Sequence, residues 1–204
     1  MMDRAAYLET QFLKRFKAEP TPCQARLFRD VAAFVTCDDA DILVVNGYAG
    51  TGKTTAVSAV IAALKALGTP SVLLAPTGRA AKVLSGISGR PAFTIHKHIY
   101  RQKSVGSDGF GQFSLAPNKA KGTLFVVDEV SLIGIDAQSS QGSAAFGTGN
   151  LLEDLVSFVR NGLDCRLILI GDAAQLPPVG LDASPALSRP FMDGFGGVRY
   201  TELT

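Results

Sequence analysis

The chain has 204 residues, of which 47% are hydrophobic and 19% are charged, and its formal net charge at pH 7 is +2. This length is enough for one substantial core and short for two, so we expect one domain with insertions. The small net charge does not by itself indicate nucleic-acid binding, no apolar run approaches the ~18 residues of a membrane-spanning helix, and the N-terminus lacks a signal-peptide core. We therefore expect a cytoplasmic protein that makes no membrane contact.

Two helices are predicted ahead of the first strand, over residues 3–17 and 24–35, with Pro20-Thr21-Pro22 between them. Proline ends one helix and is well tolerated at the start of the next. We assign residues 1–36 to this helical segment and residues 37–204 to the main domain.

The first strand is predicted at residues 42–45, a continuous apolar run, and an alanine-rich helix is predicted at residues 54–67. Between them, the segment GYAGTGKT at 47–54 has the spaced glycines followed by Lys and Thr that are typical of a phosphate-binding loop. Glycines leave backbone N–H groups open to phosphate oxygens, and the helix N-terminus adds a positive field. The segment predicts a nucleoside triphosphate site, and a glycine-rich turn without a ligand is the alternative.

Two side chains at the end of this loop have predicted roles. Lys53 is expected to reach the β- and γ-phosphates, and the Thr54 hydroxyl is expected to ligate Mg²⁺. The predicted cofactor-binding residues here are Gly47, Gly50, Thr51, Gly52, Lys53, Thr54 and Thr55.

A second strand is predicted at residues 72–75, and a short helix is predicted at residues 79–84. The segments Pro76-Thr77-Gly78-Arg79 and Thr94-Ile95-His96-Lys97 follow this strand. Hydroxyls, helix-start N–H groups and basic side chains are the usual partners of a nucleic-acid backbone. Solvated polar residues with no ligand are the alternative.

Residues 100–123 contain two short β-prone pieces around a glycine-rich tip, which predicts a hairpin. Residues 136–150 are rich in Gly, Ser, Gln and Ala without a hydrophobic period, so we expect a mobile loop there.

The third strand is predicted at residues 124–127 and the fourth at residues 167–170, with a helix at 151–160 between them. Asp128 and Glu129 follow the third strand, and Gln175 lies in the loop after the fourth. We assign Asp128 to the metal, Glu129 to the attacking water, and Gln175 to the γ-phosphate and that water. An ordinary acidic turn is the alternative for the Asp-Glu pair.

The four apolar runs are continuous rather than alternating, as in strands that are buried on both faces of a parallel sheet. Helices in the intervals then predict an α/β fold with a doubly wound parallel sheet and ligands at the carboxyl ends of its strands.

Five segments resemble the first motor domain of RecD-like superfamily 1 DNA helicases, the group that includes Dda. In chain order they are GYAGTGKT, LLAPTGRAAKVL, TIHK, VVDEVSLI and LILIGDAAQLPPVG. The resemblance runs from about Thr21 to the C-terminus, and Asp-Glu-Val-Ser stands where many relatives have Asp-Glu-Ala-Ser. It implies a RecA-like P-loop NTPase that uses ATP and Mg²⁺ to move 5′ to 3′ along single-stranded DNA, as in DNA repair or recombination.

The resemblance also implies roles for residues outside the phosphate loop. Gln24 corresponds to the family's adenine-reading glutamine, and an exposed helix-start glutamine is the alternative. The family's DNA contacts map onto Thr77, Arg79, Thr94, His96 and Lys97. A structural role for His96 is the alternative there. These contacts go mainly to phosphate and sugar, so we expect binding that ignores base sequence and weakens with salt.

Relatives carry a strand-separating pin where residues 100–123 stand in this chain. We hypothesise that Phe110 or Phe113 stacks on a base or wedges the fork; the alternative is that both pack the hairpin onto the body.

Helicases of this superfamily bind ATP between two motor domains, and the second supplies arginines that neutralise charge in the transition state. Residues 200–204 resemble the segment just ahead of the next helicase motif, which this sequence lacks. We therefore expect the first motor domain alone, which binds ATP–Mg²⁺ and DNA, hydrolyses ATP slowly and does not unwind DNA.

Two other classes of function remain open. A phosphotransferase such as a nucleoside kinase shares the phosphate loop, although we find no Arg-rich lid or acceptor pocket. A nucleotide-gated module that binds DNA or protein without turnover is the other class. DNA-stimulated phosphate release distinguishes the motor from both.

Overall fold

A computed structural model describes residues 3–105, 111–134, 145–178 and 180–204. Phe110 and most of the mobile loop predicted at 136–150 fall outside these residues. The described end of that loop contains a strand at Ala145–Phe146, so the prediction of a mobile loop is wrong there. The strands are β1 (Ile42–Gly47), β2 (Ser71–Ala75), β3 (Ala92–Thr94), β4 (Tyr100–Val105), β5 (Gly111–Leu115), β6 (Leu124–Val127), β7 (Ala145–Phe146), β8 (Arg166–Gly171) and β9 (Val198–Leu203). The helices are α1 (Arg4–Arg15), α2 (Pro22–Thr36), α3 (Lys53–Ala66), α4 (Gly78–Ser88), α5 (Ile95–Ile99), α6 (Leu151–Arg160) and α7 (Arg189–Met192).

The main sheet has six strands in the order β3-β2-β6-β8-β1-β9, and all of its neighbouring pairs are parallel. This confirms the predicted α/β fold with a parallel sheet. The four predicted strands are the four central ones, β2, β6, β8 and β1. Because the strands are parallel, the loops after β1, β2, β6 and β8 all emerge at one edge of the sheet.

Both faces of the sheet are buried, and consecutive residues of one strand belong to different cores. Leu43 and Val45 of β1 pack in a cluster that includes residues of α1, α2 and α3. Ile42 and Val44 pack in a second cluster, which includes residues of α5 and α6. This arrangement explains why the strand sequences are apolar throughout rather than alternating.

The two N-terminal helices belong to the first of these cores. Phe12 of α1 and Phe28 of α2 are fully buried, and both pack in the cluster that includes β1 and α3. Helix α2 begins with a capping box, in which the Thr21 side chain accepts from the Gln24 N–H and the Gln24 side chain accepts from the Thr21 N–H. The boundary that we placed at residue 36 stays a prediction.

A small second sheet contains the predicted hairpin, with β4 and β5 antiparallel and β7 parallel to β5. Phe113 of β5 stacks on Phe146 of β7 with ring centroids 4.5 Å apart, and both rings pack against the second core. These contacts agree with the alternative in which Phe113 packs the hairpin onto the main domain.

A buried carboxylate connects this small sheet to α6. Asp154 is 3% exposed and accepts from the Tyr100 hydroxyl at 2.6 Å and from the backbone N–H and hydroxyl of Thr148. Burial and the Asp154 carboxylate raise the pKa of Tyr100, so the phenol stays protonated and keeps donating.

We expect Tyr100→Phe to lower the free energy of unfolding by about 1–3 kcal/mol, because it leaves a buried carboxylate without one of its donors. Urea denaturation measures this loss. Tyr7→Phe is the control, because Tyr7 is 39% exposed on α1. Equal stability of the two variants would contradict a supporting role for the Tyr100–Asp154 bond.

Over the described ranges, no helix combines the length and apolar character that membrane spanning requires.

Candidate active site

The loop between β1 and α3 has the geometry of an anion cradle. Gly50 and Gly52 have φ angles of +82° and +77°, a region that side chains other than glycine rarely adopt. Gly52 is the N-cap of α3 and provides no side-chain cap, so the N–H groups of the first helical turn are left for a ligand. At Gly52 a Cβ would also lie 2.6 Å from the Gln24 amide nitrogen.

Lys53 places a positive charge against this loop. Its amine donates to the backbone carbonyl oxygens of Gly47 and Tyr48 at 2.5 Å and 2.7 Å. The side chain therefore folds back over the loop that precedes it, and its ammonium lies beside the cradle, as binding a phosphate requires.

Thr54 and Asp128 provide a pair of oxygen ligands. Asp128 follows β6 and is 7% exposed, and its carboxylate accepts from the Thr54 hydroxyl at 2.8 Å. Burial raises the pKa of Asp128, against the opposing effects of the Thr54 hydroxyl, the Glu129 N–H and the Lys53 charge. Hydroxyl and carboxylate oxygens suit Mg²⁺, which protein sites bind through one or two carboxylates together with phosphates and water. Among the described residues, no group of three or more His, Cys, Asp or Glu side chains is arranged to hold a metal on its own.

Glu129 is held in a strained backbone conformation beside this pair. Its φ is +59°, in the left-handed region that few residues other than glycine adopt. Burial, followed by the neighbouring carboxylates of Asp128 and Asp172, raises the pKa of Glu129, although the Lys53 charge and the nearby Gln175 amide act in the opposite direction. Glu129 is therefore a stronger base than an exposed glutamate.

Gln175 reaches Glu129 from the loop after β8. Its Oε1 accepts from the Ser131 hydroxyl at 3.0 Å, and its side chain lines the same cleft as the Glu129 carboxyl. The same loop is tied to β1, because Asn46 Oδ1 accepts from the Ala173 N–H at 3.0 Å.

These side chains surround one cleft of about 350 Å³, which combines backbone donors, a cation, an amide and the three carboxylates of Asp128, Glu129 and Asp172. The predicted residues that line it are Gly50, Gly52, Lys53, Thr54, Thr55, Asp128, Glu129 and Gln175. All four predicted catalytic residues and both predicted metal ligands are thus at one site. Of the other predicted loop residues, Gly47 and Thr51 do not line the cleft.

Gln24 contacts the same loop from α2. Its Nε2 donates to the Thr51 carbonyl at 3.0 Å while its Oε1 accepts from the Thr21 N–H at 3.0 Å. The side chain is only 8% exposed, so the alternative of an exposed helix-start glutamine is wrong. One N–H and one lone pair of the amide remain for a base, and adenine reading stays a prediction.

The predicted DNA contacts lie at the same edge of the sheet, after β2 and β3. Thr77 and Thr94 are the N-caps of α4 and α5, and Arg79 and Lys97 are exposed beside them. The two segments are neighbours, because Ala75 pairs with Thr94 across the parallel strands β2 and β3. The two segments that carry these four residues therefore lie side by side at this edge of the sheet.

His96 differs from these residues in its surroundings. Its ring is half-buried, with centroids 5.6 Å from Tyr100 and 5.1 Å from Phe146. Burial lowers the pKa of His96, so the ring is neutral at pH 7. These contacts agree with a structural role for His96. A DNA contact by His96 stays a prediction.

A family model of the AAA domain matches residues 21–187 of the chain. The chain belongs to the AAA domain family. Over 138 residues this AAA domain is 38% identical to the ATP-dependent RecD2 DNA helicase of Deinococcus radiodurans, a match that covers 68% of the chain and 16% of that helicase. Over 152 residues it is 34% identical to the ATP-dependent DNA helicase Dda of Enterobacteria phage T4, which covers 73% of the chain and 31% of Dda.

The Pif1 helicase of Candida albicans has a similar fold, with a TM-score of 0.54 and 18% identity over 91% of the AAA domain and 40% of the Pif1 chain. These relatives confirm the resemblance to the motor domain of RecD-like superfamily 1 helicases. The AAA domain spans less than a third of the length of RecD2 and Dda.

Three polar residues at or beside the AAA domain site were given no role from the sequence: Asn46, Ser131 and Asp172. Each belongs to a segment that was predicted to be chemical or directly precedes one. The signal available was their position, because a polar residue at the end of one parallel strand lies near polar residues at the ends of its neighbours. Asn46 is also the one polar side chain in β1.

Proposed function

We propose that this AAA domain is the first motor domain of an ATP-dependent DNA helicase or translocase that binds ATP–Mg²⁺ and moves 5′ to 3′ along single-stranded DNA. The observation that carries the proposal is the convergence of Lys53, Asp128, Glu129 and Gln175 on one cleft. The direction of movement rests on the likeness to RecD-like helicases.

Each residue of the cleft has a distinct task in this proposal. Lys53 and the N–H groups at the start of α3 hold the β- and γ-phosphates, and Thr54 with Asp128 holds Mg²⁺. When bound, Mg²⁺ neutralises charge on the phosphates. Glu129 orients a water molecule and takes its proton, and Gln175 donates an N–H to a terminal phosphate oxygen.

The contents of the cleft favour hydrolysis over transfer to another acceptor. A carboxylate with a raised pKa, which shares the cleft with a glutamine amide, is suited to activating water. The AAA domain on its own is proposed to turn over slowly, because an arginine from a second motor domain can contribute about 10³ to 10⁵ in rate.

Phosphate release by the full-length protein that contains this domain, measured with and without single-stranded DNA, tests the proposal. The motor predicts strong stimulation by DNA. A phosphotransferase predicts release that depends on a phosphate acceptor instead, and a gated binding module predicts ATP binding with no release under either condition.

DNA binding is proposed at the edge that carries Thr77, Arg79, Thr94 and Lys97. We expect the double variant Arg79→Ala, Lys97→Ala to bind single-stranded DNA more weakly for every base sequence. The slope of log affinity against log salt should fall by about 0.7 for each DNA phosphate that the variant no longer neutralises.

Fluorescence anisotropy of a labelled oligonucleotide at several salt concentrations measures both quantities. Lys65→Ala is the matched control, because Lys65 is an exposed lysine in the last turn of α3. An unchanged salt slope in the double variant would place the DNA contacts elsewhere.

A further inference from the structure

We propose that Ser131 is a positioning residue that fixes the orientation of the Gln175 amide, so that its N–H groups face Glu129 and the terminal phosphate. This inference rests on the proposed ATP hydrolysis and assigns a task to a residue that does not itself line the cleft.

The first observation is that Ser131 is completely buried and bonds to the Gln175 side chain. It lies in a 3-10 helix over Val130–Leu132 and is 0% exposed. Its hydroxyl donates to Gln175 Oε1 at 3.0 Å, although the two residues are 44 positions apart in the sequence. The bond connects the loop after β6 to the loop after β8.

The second observation is that the same amide lies beside a carboxyl group. Gln175 and Glu129 line one cleft, and the Gln175 side chain is within reach of the Glu129 carboxyl. An ionised carboxylate only accepts, so the group that faces Glu129 is the Gln175 NH₂. Ser131 on the oxygen side and Glu129 on the nitrogen side thus favour the same orientation of the amide.

The consequence for a phosphate follows from the number of N–H groups. The amide has two, and Glu129 takes one, so one N–H remains for a γ-phosphate oxygen. In the opposite orientation, the amide oxygen faces both the carboxylate and the phosphate, and that contact is repulsive. The Ser131 hydroxyl disfavours this orientation, because it bonds to the oxygen on the buried side.

Glu129 and Ser131 also belong to one rigid turn. The left-handed backbone of Glu129 is the N-cap of the short helix that carries Ser131, and the Ile133 N–H closes that turn on the Val130 carbonyl. The residue proposed to orient water and the residue that orients Gln175 are therefore fixed relative to each other.

The test is a double-mutant cycle with Ser131→Ala, Gln175→Ala and the double variant, each assayed for basal phosphate release and KM for ATP. We expect Ser131→Ala to lower kcat by about tenfold, with KM within about twofold of the wild-type value. In the Gln175→Ala background the same change should have no further effect on kcat, because Ser131 acts only through the amide.

Ser184→Ala is the matched control. Among the described residues, Ser184 Oγ is the one buried side-chain nitrogen or oxygen atom without a hydrogen-bond partner, and Ser184 is 8% exposed. We expect this variant to keep the wild-type kcat. Thermal unfolding of each variant shows whether it is folded, and the ¹⁵N–¹H side-chain resonances of Gln175 report on the amide without any turnover.

Several outcomes would overturn the inference. Losses that multiply in the double variant, a wild-type kcat for Ser131→Ala, or unchanged Gln175 amide resonances in that variant would each do so while leaving the proposed hydrolysis intact. A wild-type protein that binds no ATP–Mg²⁺ would overturn both the inference and the proposed function.

Discussion

Replacement of Glu129 by Gln is expected to slow phosphate release from bound ATP by about 10²- to 10⁴-fold, with the affinity for ATP–Mg²⁺ close to that of the wild type. Glutamine keeps the size of the side chain and a carbonyl oxygen that can accept hydrogen bonds, but it cannot take a proton from water. The loss should therefore appear in kcat rather than in KM.

Single-turnover hydrolysis of labelled ATP, with the protein in excess, measures this effect even when turnover is slow. Glu153→Gln is the matched control, because Glu153 is exposed in the first turn of α6, away from the cleft. A rate for Glu129→Gln within a few-fold of that control would mean that Glu129 does not act as the base.

The second large effect is expected for Lys53→Ala, with kcat/KM for ATP lowered by on the order of 10² to 10³. Lys53 is the cation at the phosphate loop, and its amine lies against the Gly47 and Tyr48 carbonyls at the mouth of the cradle. Alanine removes that charge, so both binding and turnover should suffer, in contrast to Glu129→Gln.

Lys65→Ala again provides the control, because it removes a lysine from the opposite end of the same helix. Wild-type kcat/KM in Lys53→Ala would contradict a phosphate-binding role for the loop. Unfolding curves distinguish a functional loss from a loss of folded protein.

The fold was predictable wherever strands are buried on both faces. Strand β6 was predicted with its observed bounds, and β1, β2 and β8 were each predicted within two residues, because a continuous apolar run is the signature of such a strand. The edge strands were missed. β3 has only three residues, and β9 carries Arg199, Thr201 and Glu202 among its apolar residues, as edge strands commonly do.

The candidate site was predictable in part for a related reason. Motifs that follow parallel strands must meet at one edge, so Lys53, Asp128, Glu129 and Gln175 were expected together. The Ser131–Gln175 bond and the burial of Gln24 were not predictable, because both depend on how side chains from distant segments pack. Periodicity and motif spacing contain no information on such contacts.

We propose that the loop after β1 holds the phosphate chain of a nucleotide and that Thr54 and Asp128 are the ligands for its Mg²⁺. Calorimetric titration of the protein with ATP and with AMP, each with Mg²⁺ and with a chelator, is the decisive measurement. We expect that ATP binds, that its affinity falls sharply when Mg²⁺ is removed, and that AMP binds far more weakly. Equal affinities for ATP and AMP, or ATP binding that is indifferent to Mg²⁺, would contradict it.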